Sequence, residues 1–236
     1  MRTTSFKTFL LAITLSIGAQ AAALVQYELT GKLGTEVSDP ATFAATGLTA
    51  FDLIRGAGLT PAAGSNSMNA SGWDDLSPAD FFSFGFTVQP GFSAVLNEIR
   101  LSARSSATAP GFMNVLISKD GGPETLLATL TLPNAAFLDT DLSFSNVTID
   151  SSATIFLRPA NSTAANGGTI GSAGTSRISD YSPDNGASFE PVALFGTVNA
   201  VTATPEPSTA ALSLAALTFL VRAGYRRKRR TGLQQG

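Results

Sequence analysis

Asp80-Phe81-Phe82-Ser83-Phe84-Gly85-Phe86-Thr87-Val88 reads as one β-strand. Phe82, Phe84, Phe86 and Val88 fall on one side and Ser83, Gly85 and Thr87 on the other, the period of two that a half-buried extended chain requires. The same period continues outward. Before it, Val25, Tyr27 and Leu29 alternate with Gln26, Glu28 and Thr30. After it, Val95, Ile99, Leu101 and Ala103 oppose Glu98, Arg100, Ser102 and Arg104. Met113, Val115 and Ile117 repeat the pattern, as do Leu126, Ala128, Leu130 and Leu132. Leu142 and Phe144 change parity with Val147 and Ile149, which predicts a bulge or break near Ser145-Asn146. Ile155 with Leu157, and Val192, Leu194 and Val198, complete the set, and nothing before Ser208 sustains a helical period.

Turn chemistry separates these runs. Gln89-Pro90-Gly91, Ala109-Pro110-Gly111, Lys119-Asp120-Gly121-Gly122 and Leu132-Pro133-Asn134 each carry residues that preset or tolerate turn dihedrals. Asp120-Gly121 between two alternating strands is a hairpin signal. The Asn-, Ser-, Ala- and Gly-rich stretch Pro159–Thr175 predicts a surface loop. Many short strands at this spacing imply an all-β domain, and the bulky inward residues favour an antiparallel β-sandwich over an open barrel.

Composition removes several function classes. The chain has 236 residues, 44% hydrophobic and 14% charged, with 22 Gly and 12 Pro. Disorder, coiled coil and nucleic-acid binding all need more charge or a simpler repeat. With no Cys and no His, there are no disulfides, no thiolate or imidazole metal ligands and no Ser/His/Asp or Cys/His catalysis. Hydrolysis would fall to carboxylates, and Asp74, Asp75, Asp80, Glu98, Asp180, Asp184 and Glu190 are the candidates. No Glu-x-Asp-x-Glu strand motif is present, so the reading is non-enzymatic. Trp73, the single Trp, flanked by Gly72, Asp74 and Asp75, is either a core residue or a surface ring able to stack on a sugar. No cofactor is implied. Calcium is an alternative at the oxygen-rich Asp139-Thr140-Asp141 and Asn66–Asp75 stretches, although Asp and Asn in turns usually serve local hydrogen bonds.

The net charge of −2 conceals segregation. Arg2 and Lys7 open the chain, and Arg222, Arg226, Arg227, Lys228, Arg229 and Arg230 crowd its end, which leaves seven bases in the middle with all 17 acids. Residues 1–23 form an expected signal peptide with its own short helix. A basic start precedes the apolar run Phe9–Ile17, and Ala19-Gln20-Ala21 or Ala21-Ala22-Ala23 supplies the small-x-small cleavage pattern read by signal peptidase. Residues 24–198 are the expected sandwich and 199–204 a linker. Pro205-Glu206-Pro207 then precedes Ser208–Val221, an all-round apolar stretch of about fourteen residues, short for a bilayer core of about 30 Å. The basic block after it should stay cytoplasmic, with the acidic domain across the membrane.

Pro-Glu-Pro, a short hydrophobic helix and a terminal Arg cluster, in that order, resemble the PEP-CTERM sorting signal of exosortase substrates. The resemblance implies that a membrane-embedded exosortase recognises the signal and removes the tail near Pro205-Glu206-Pro207. The precursor would thus be anchored in the inner membrane, and the mature protein delivered to the cell surface or outside.

The middle of the chain is also similar to an ectodomain recurrent among such proteins. The stretches concerned are Gly47-Leu48-Thr49-Ala50, Arg55-Gly56-Ala57-Gly58-Leu59, Asn69-Ala70-Ser71-Gly72-Trp73, Phe82–Val88, Arg104-Ser105-Ser106 and Ser118-Lys119-Asp120-Gly121-Gly122. Ser176 and Ser179 depart from that pattern, standing where a bulky residue and an acid are more usual. The resemblance implies a jelly-roll-type sandwich, related in architecture to carbohydrate-binding modules and lectins. It also implies a structural or exopolysaccharide-associated role such as in a biofilm matrix, with carbohydrate binding as the alternative. Nucleic acid is not an expected partner.

Overall fold

The computed structural model describes residues 21–74, 76–182 and 188–201. The chain divides into two compact units, Met1–Ala200 and Val201–Gly236, and of the second only Val201 is among the described residues. The two expected terminal helices, the Pro205-Glu206-Pro207 motif, the basic tail and Ala19 therefore lie outside the described residues.

Among the described residues every regular element is a strand. In chain order these are β1 (Ala22–Tyr27), β2 (Ser38–Asp39), β3 (Phe43–Ala44), β4 (Leu48–Ala50), β5 (Leu53–Arg55), β6 (Thr60–Pro61), β7 (Ser67–Ser71) and β8 (Phe82–Val88). They continue with β9 (Phe92–Ser105), β10 (Phe112–Lys119), β11 (Glu124–Thr131), β12 (Leu138–Ile149), β13 (Ser152–Pro159), β14 (Ser176–Ser179) and β15 (Val192–Ala200). One sheet has the order β3-β1-β15-β9-β14-β7-β6, with β12 on the other edge of β9. The second runs β11-β10-β13-β8-β5-β2, with β4 also paired to β8. All the strand pairs are antiparallel. The protein is a two-sheet antiparallel β-sandwich.

The core lies between the sheets. Phe82, Phe84 and Phe86 of β8 are buried as their alternation requires, together with Tyr27, Trp73, Leu96, Ile99, Leu101, Ile155, Leu157, Ile178 and Leu194. The Tyr27 hydroxyl is satisfied inside this apolar layer: it donates to the Phe51 carbonyl at 2.8 Å and accepts from the Gly85 N–H at 3.2 Å. Gly85 is needed here, because a Cβ at that position would stand 2.0 Å from the Ala153 carbonyl oxygen of the paired strand.

Several expectations meet their local cause. Asp120 and Gly121 both have positive φ (52° and 72°), as a tight hairpin between β10 and β11 demands. The parity change in β12 is a register shift between Ser143 and Val147. No strand occurs between Pro159 and Ser176. Other expectations need correction. β9 shifts register at Asn97, so Ala94 and Leu96 turn inward before Ile99, and Val95 does not. A second bulge at Leu127 leaves Leu126 53% exposed. An extra residue in one strand reverses the facing of everything beyond it. The sandwich also exceeds 24–198: Ala22 and Ala23 pair with Gly196 and Phe195, and Asn199 and Ala200 pair with Ser93 and Phe92. Backbone ladders do not stop where apolar alternation does.

Candidate functional site: a cleft on the outer face of the larger sheet

The 14-residue strand β9 organises the site. One edge pairs with β12 along most of its length. The other is shared, by β15 up to Arg100 and by β14 from Ser102. Between those partners the chain leaves the sheet after Ser179 and returns at Val192. This branch point opens a cavity of about 350 Å³ lined by Ser102, Ala136, Phe137, Asp139, Ser179, Asp180, Ser182 and Phe189.

Register sets the floor. Asp139, Ser102 and Ser179 stand abreast on β12, β9 and β14, on the face opposite the core-facing row of half-buried Leu138 and buried Ala103 and Ile178. The Ser102 hydroxyl donates to Asp139, which also accepts from the Ser182 N–H at 3.1 Å. The walls are aromatic: Phe137 is 42% exposed and Phe189 54%. A polar floor between two exposed rings suits a flat ligand with an apolar face and hydroxylated edges.

Two groups of charges hold the walls. Arg100 donates to Glu190 at 2.7 Å and to Glu98 at 3.0 Å, with Asp141 at 3.6 Å. Its guanidinium lies 5.2 Å from the centre of the Tyr181 ring and 4.6 Å from that of Phe195. Tyr181 and Glu190 exchange backbone hydrogen bonds of 2.8 Å, so this cluster anchors the base of the loop that carries Phe189. Asp180 is 2% exposed. Its carboxylate oxygens accept from the Leu29 N–H and the Thr30 hydroxyl, both at 2.9 Å, tying the cleft to the end of β1. Burial, reinforced by the neighbouring Glu28, pushes Asp180 up to about 7. Partial burial acts to raise Glu28, but hydrogen bonds with Asp180 and Thr30 outweigh it and its pKa falls. The two shifts run in opposite directions, so a proton shared by this pair resides on Asp180 rather than on Glu28.

The residues singled out from sequence distribute differently. Trp73 is fully buried; its Nε1–H donates to the Ala70 carbonyl at 2.9 Å and its ring packs 5.3 Å from Phe82. It cannot stack on a ligand at the surface. Asp74 is exposed away from the cleft lining, and Asp75 and Asp184 lie outside the described residues. Asp80 is buried, and Glu98 and Glu190 serve Arg100. Ala21 and Ala23 flank the start of β1. Among the described residues, Asp180 is the one suggested catalytic carboxylate that lines the cleft; Asp139, singled out for calcium, lines it too, and both aromatic walls were missed. Phe137 and Phe189 sit in irregular segments beside strand ends, where no periodicity marks them.

Among the described residues no group of three or more acids is placed to hold a metal ion. In Asp139-Thr140-Asp141 the carboxylates are engaged by Ser102, Ser182 and Arg100.

No family model matches the chain, and no curated protein does. Solved structures that superpose on it include a variant of CBM29-2, a family 29 carbohydrate-binding module, complexed with mannohexaose. That alignment has TM-score 0.40 and 11% identity, and covers 75% of this chain and 92% of that one. Another variant of a family 29 module aligns at TM-score 0.40 and 10% identity, over 79% of this chain and all of that one. Superposition this loose does not carry function from one protein to the other.

Proposed function

We propose that this protein is an exported, non-enzymatic sandwich of jelly-roll type that binds a polysaccharide in the cleft of the larger sheet. The observation that carries the reading is the pair of exposed rings, Phe137 and Phe189, over the polar row Asp139, Ser102 and Ser179. Pyranose rings present C–H faces to aromatic side chains and hydroxyl edges to acceptors and donors. The cavity's volume stands at the lower end of the ~300–1,000 Å³ usual for ligand sites, room for a short segment of a chain.

A hydrolase is the second reading, favoured by two carboxyl groups in one cleft, one of them with a pKa suited to a proton donor. Against it, both oxygens of Asp180 are held by Leu29 and Thr30, just past β1, and its burial keeps it from a bound sugar.

Export and sorting rest on the two termini. Signal peptidase would remove the leader, the apolar segment after Pro205-Glu206-Pro207 would hold the precursor in the inner membrane, and an exosortase would cut near that motif. The mature domain would then act at the cell surface or in an exopolysaccharide matrix. Intact mass and cell fraction of the protein from its native host test this part: loss of both ends supports it, and a full-length cytosolic chain overturns it.

Glycan binding is tested by an array followed by calorimetry on the folded domain. Binding that is lost in the Phe137→Ala, Phe189→Ala double variant, at unchanged melting temperature, is the expected result. Failure of the folded domain to bind any glycan would remove the reading, and sugar release lost on Asp139→Asn would replace it with the hydrolase.

A further inference from the structure

Beyond the cleft floor, one same-face step along β9 and β14 (about 7 Å), Arg104 and Arg177 stand directly opposite each other. Both are half-buried. Their guanidinium carbons lie 5.5 and 5.7 Å from the centre of the Phe137 ring, so both cations converge on one wall of the cleft. Neither has a carboxylate partner among the described residues, although acids outnumber bases heavily in this part of the chain. Like charges directly across a sheet repel, and the strain is visible in Arg177, whose pKa is lowered by burial and then by the charge of Arg104. The acids nearest along the face are committed elsewhere. Asp139 is bonded to Ser102 and Ser182, and Glu98, Asp141 and Glu190 surround Arg100 at the opposite end.

We propose that Arg104 and Arg177 form an anion subsite that selects an acidic polysaccharide, one whose uronic-acid carboxylate sits between the two guanidiniums while its sugar ring lies against Phe137. This rests on the glycan-binding reading and names the class of glycan. The planar guanidinium fork matches a carboxylate with paired N–H donors, and two such forks with no side-chain acceptor among the described residues leave donors free for one. The surrounding domain is acidic and repels polyanions at a distance. The subsite therefore confers selectivity at contact range rather than capture from afar.

Hexagalacturonate and its fully methyl-esterified form share the same sugar rings and differ in their carboxyl groups, ionised in one and capped by methyl in the other; they serve as the paired probes in calorimetry on the mature domain. The acid is expected to bind about tenfold more tightly than the ester, as charge-assisted hydrogen bonds outweigh neutral ones, with the advantage shrinking as salt is added. In the Arg104→Gln, Arg177→Gln double variant the two probes should bind equally, with the ester's affinity unchanged and the melting temperature equal or higher. Equal binding of acid and ester to the unaltered protein overturns the subsite and leaves the glycan reading intact, as does a preference that survives in the double variant. Absence of binding by either probe, and by every neutral glycan on the array, overturns both.

Discussion

Replacing Asp180 by Asn removes a carboxyl that the fold keeps protonated up to about neutrality, and its effect has a defined sign. The native pKa is about 7 against an ordinary 3.8, so the native state keeps a proton that the unfolded chain releases. Stability from this group is complete below about pH 4 and is lost progressively as pH rises through 7. The shift from 3.8 to about 7 sets a ceiling of about 4 kcal/mol. Relaxation and water entry at the cleft should reduce the observed figure to about 2 kcal/mol. Asn mimics the protonated carboxyl: its oxygen accepts from the Leu29 N–H, and its NH₂ meets Glu28 and the rotatable Thr30 hydroxyl.

Asp180→Asn should therefore match the parent at pH 4 and exceed it at pH 8, by about 4–8 °C in melting temperature for a domain of this size. Calorimetry at pH 4 to 9 reads this cleanly, because a chain without His has few groups that titrate there. Glu98, raised by partial burial and by Asp141, adds a slope of the same sign that both proteins share. The α-amino group cancels likewise. A parent melting temperature constant from pH 5 to 8, with the Asn variant less stable at pH 8, would show that Asp180 is ionised and would refute the argument.

Three further outcomes are expected. Trp73→Ala should cost about 3–5 kcal/mol in denaturant unfolding by opening a core cavity, yet leave the affinity of the folded fraction for glycan unchanged. Gly196→Ala should abolish soluble expression, since a Cβ there would lie 1.8 Å from the Val95 carbonyl oxygen; a folded, monomeric variant would contradict the register described. The mature N-terminus should be Ala22, because a cut after Ala23 would remove two residues of β1 that pair with Gly196 and Phe195; N-terminal sequencing of exported protein decides this.

The placements of Trp73 and Leu126 share a cause. Residue type and alternation report that a side chain has a buried or an exposed option, but neighbours from distant strands decide which is taken. Trp73 bears a polar N–H that could have faced solvent, and it is buried because the Ala70 carbonyl and the Phe82 ring complete its surroundings. Leu126 belongs to an apolar series, and it is exposed because Leu127 bulges out of the ladder with β10. The Arg104–Arg177 pair is the strongest case. Separated by more than seventy residues, they become neighbours only through the register of β14 on β9.

Local chemistry along the chain was sufficient to determine the eight longest strands, the Asp120-Gly121 hairpin, the β12 bulge and the absence of His and Cys chemistry, because backbone period, turn dihedrals and composition are properties of adjacent residues. The position of the cleft was decided only by tertiary structure. It depends on where β9 passes from one partner strand to another, which brings Phe137, Ser102, Ser179 and Phe189 together from four separate segments. Such long-range register is a property of the assembled sheet, and no single segment encodes it.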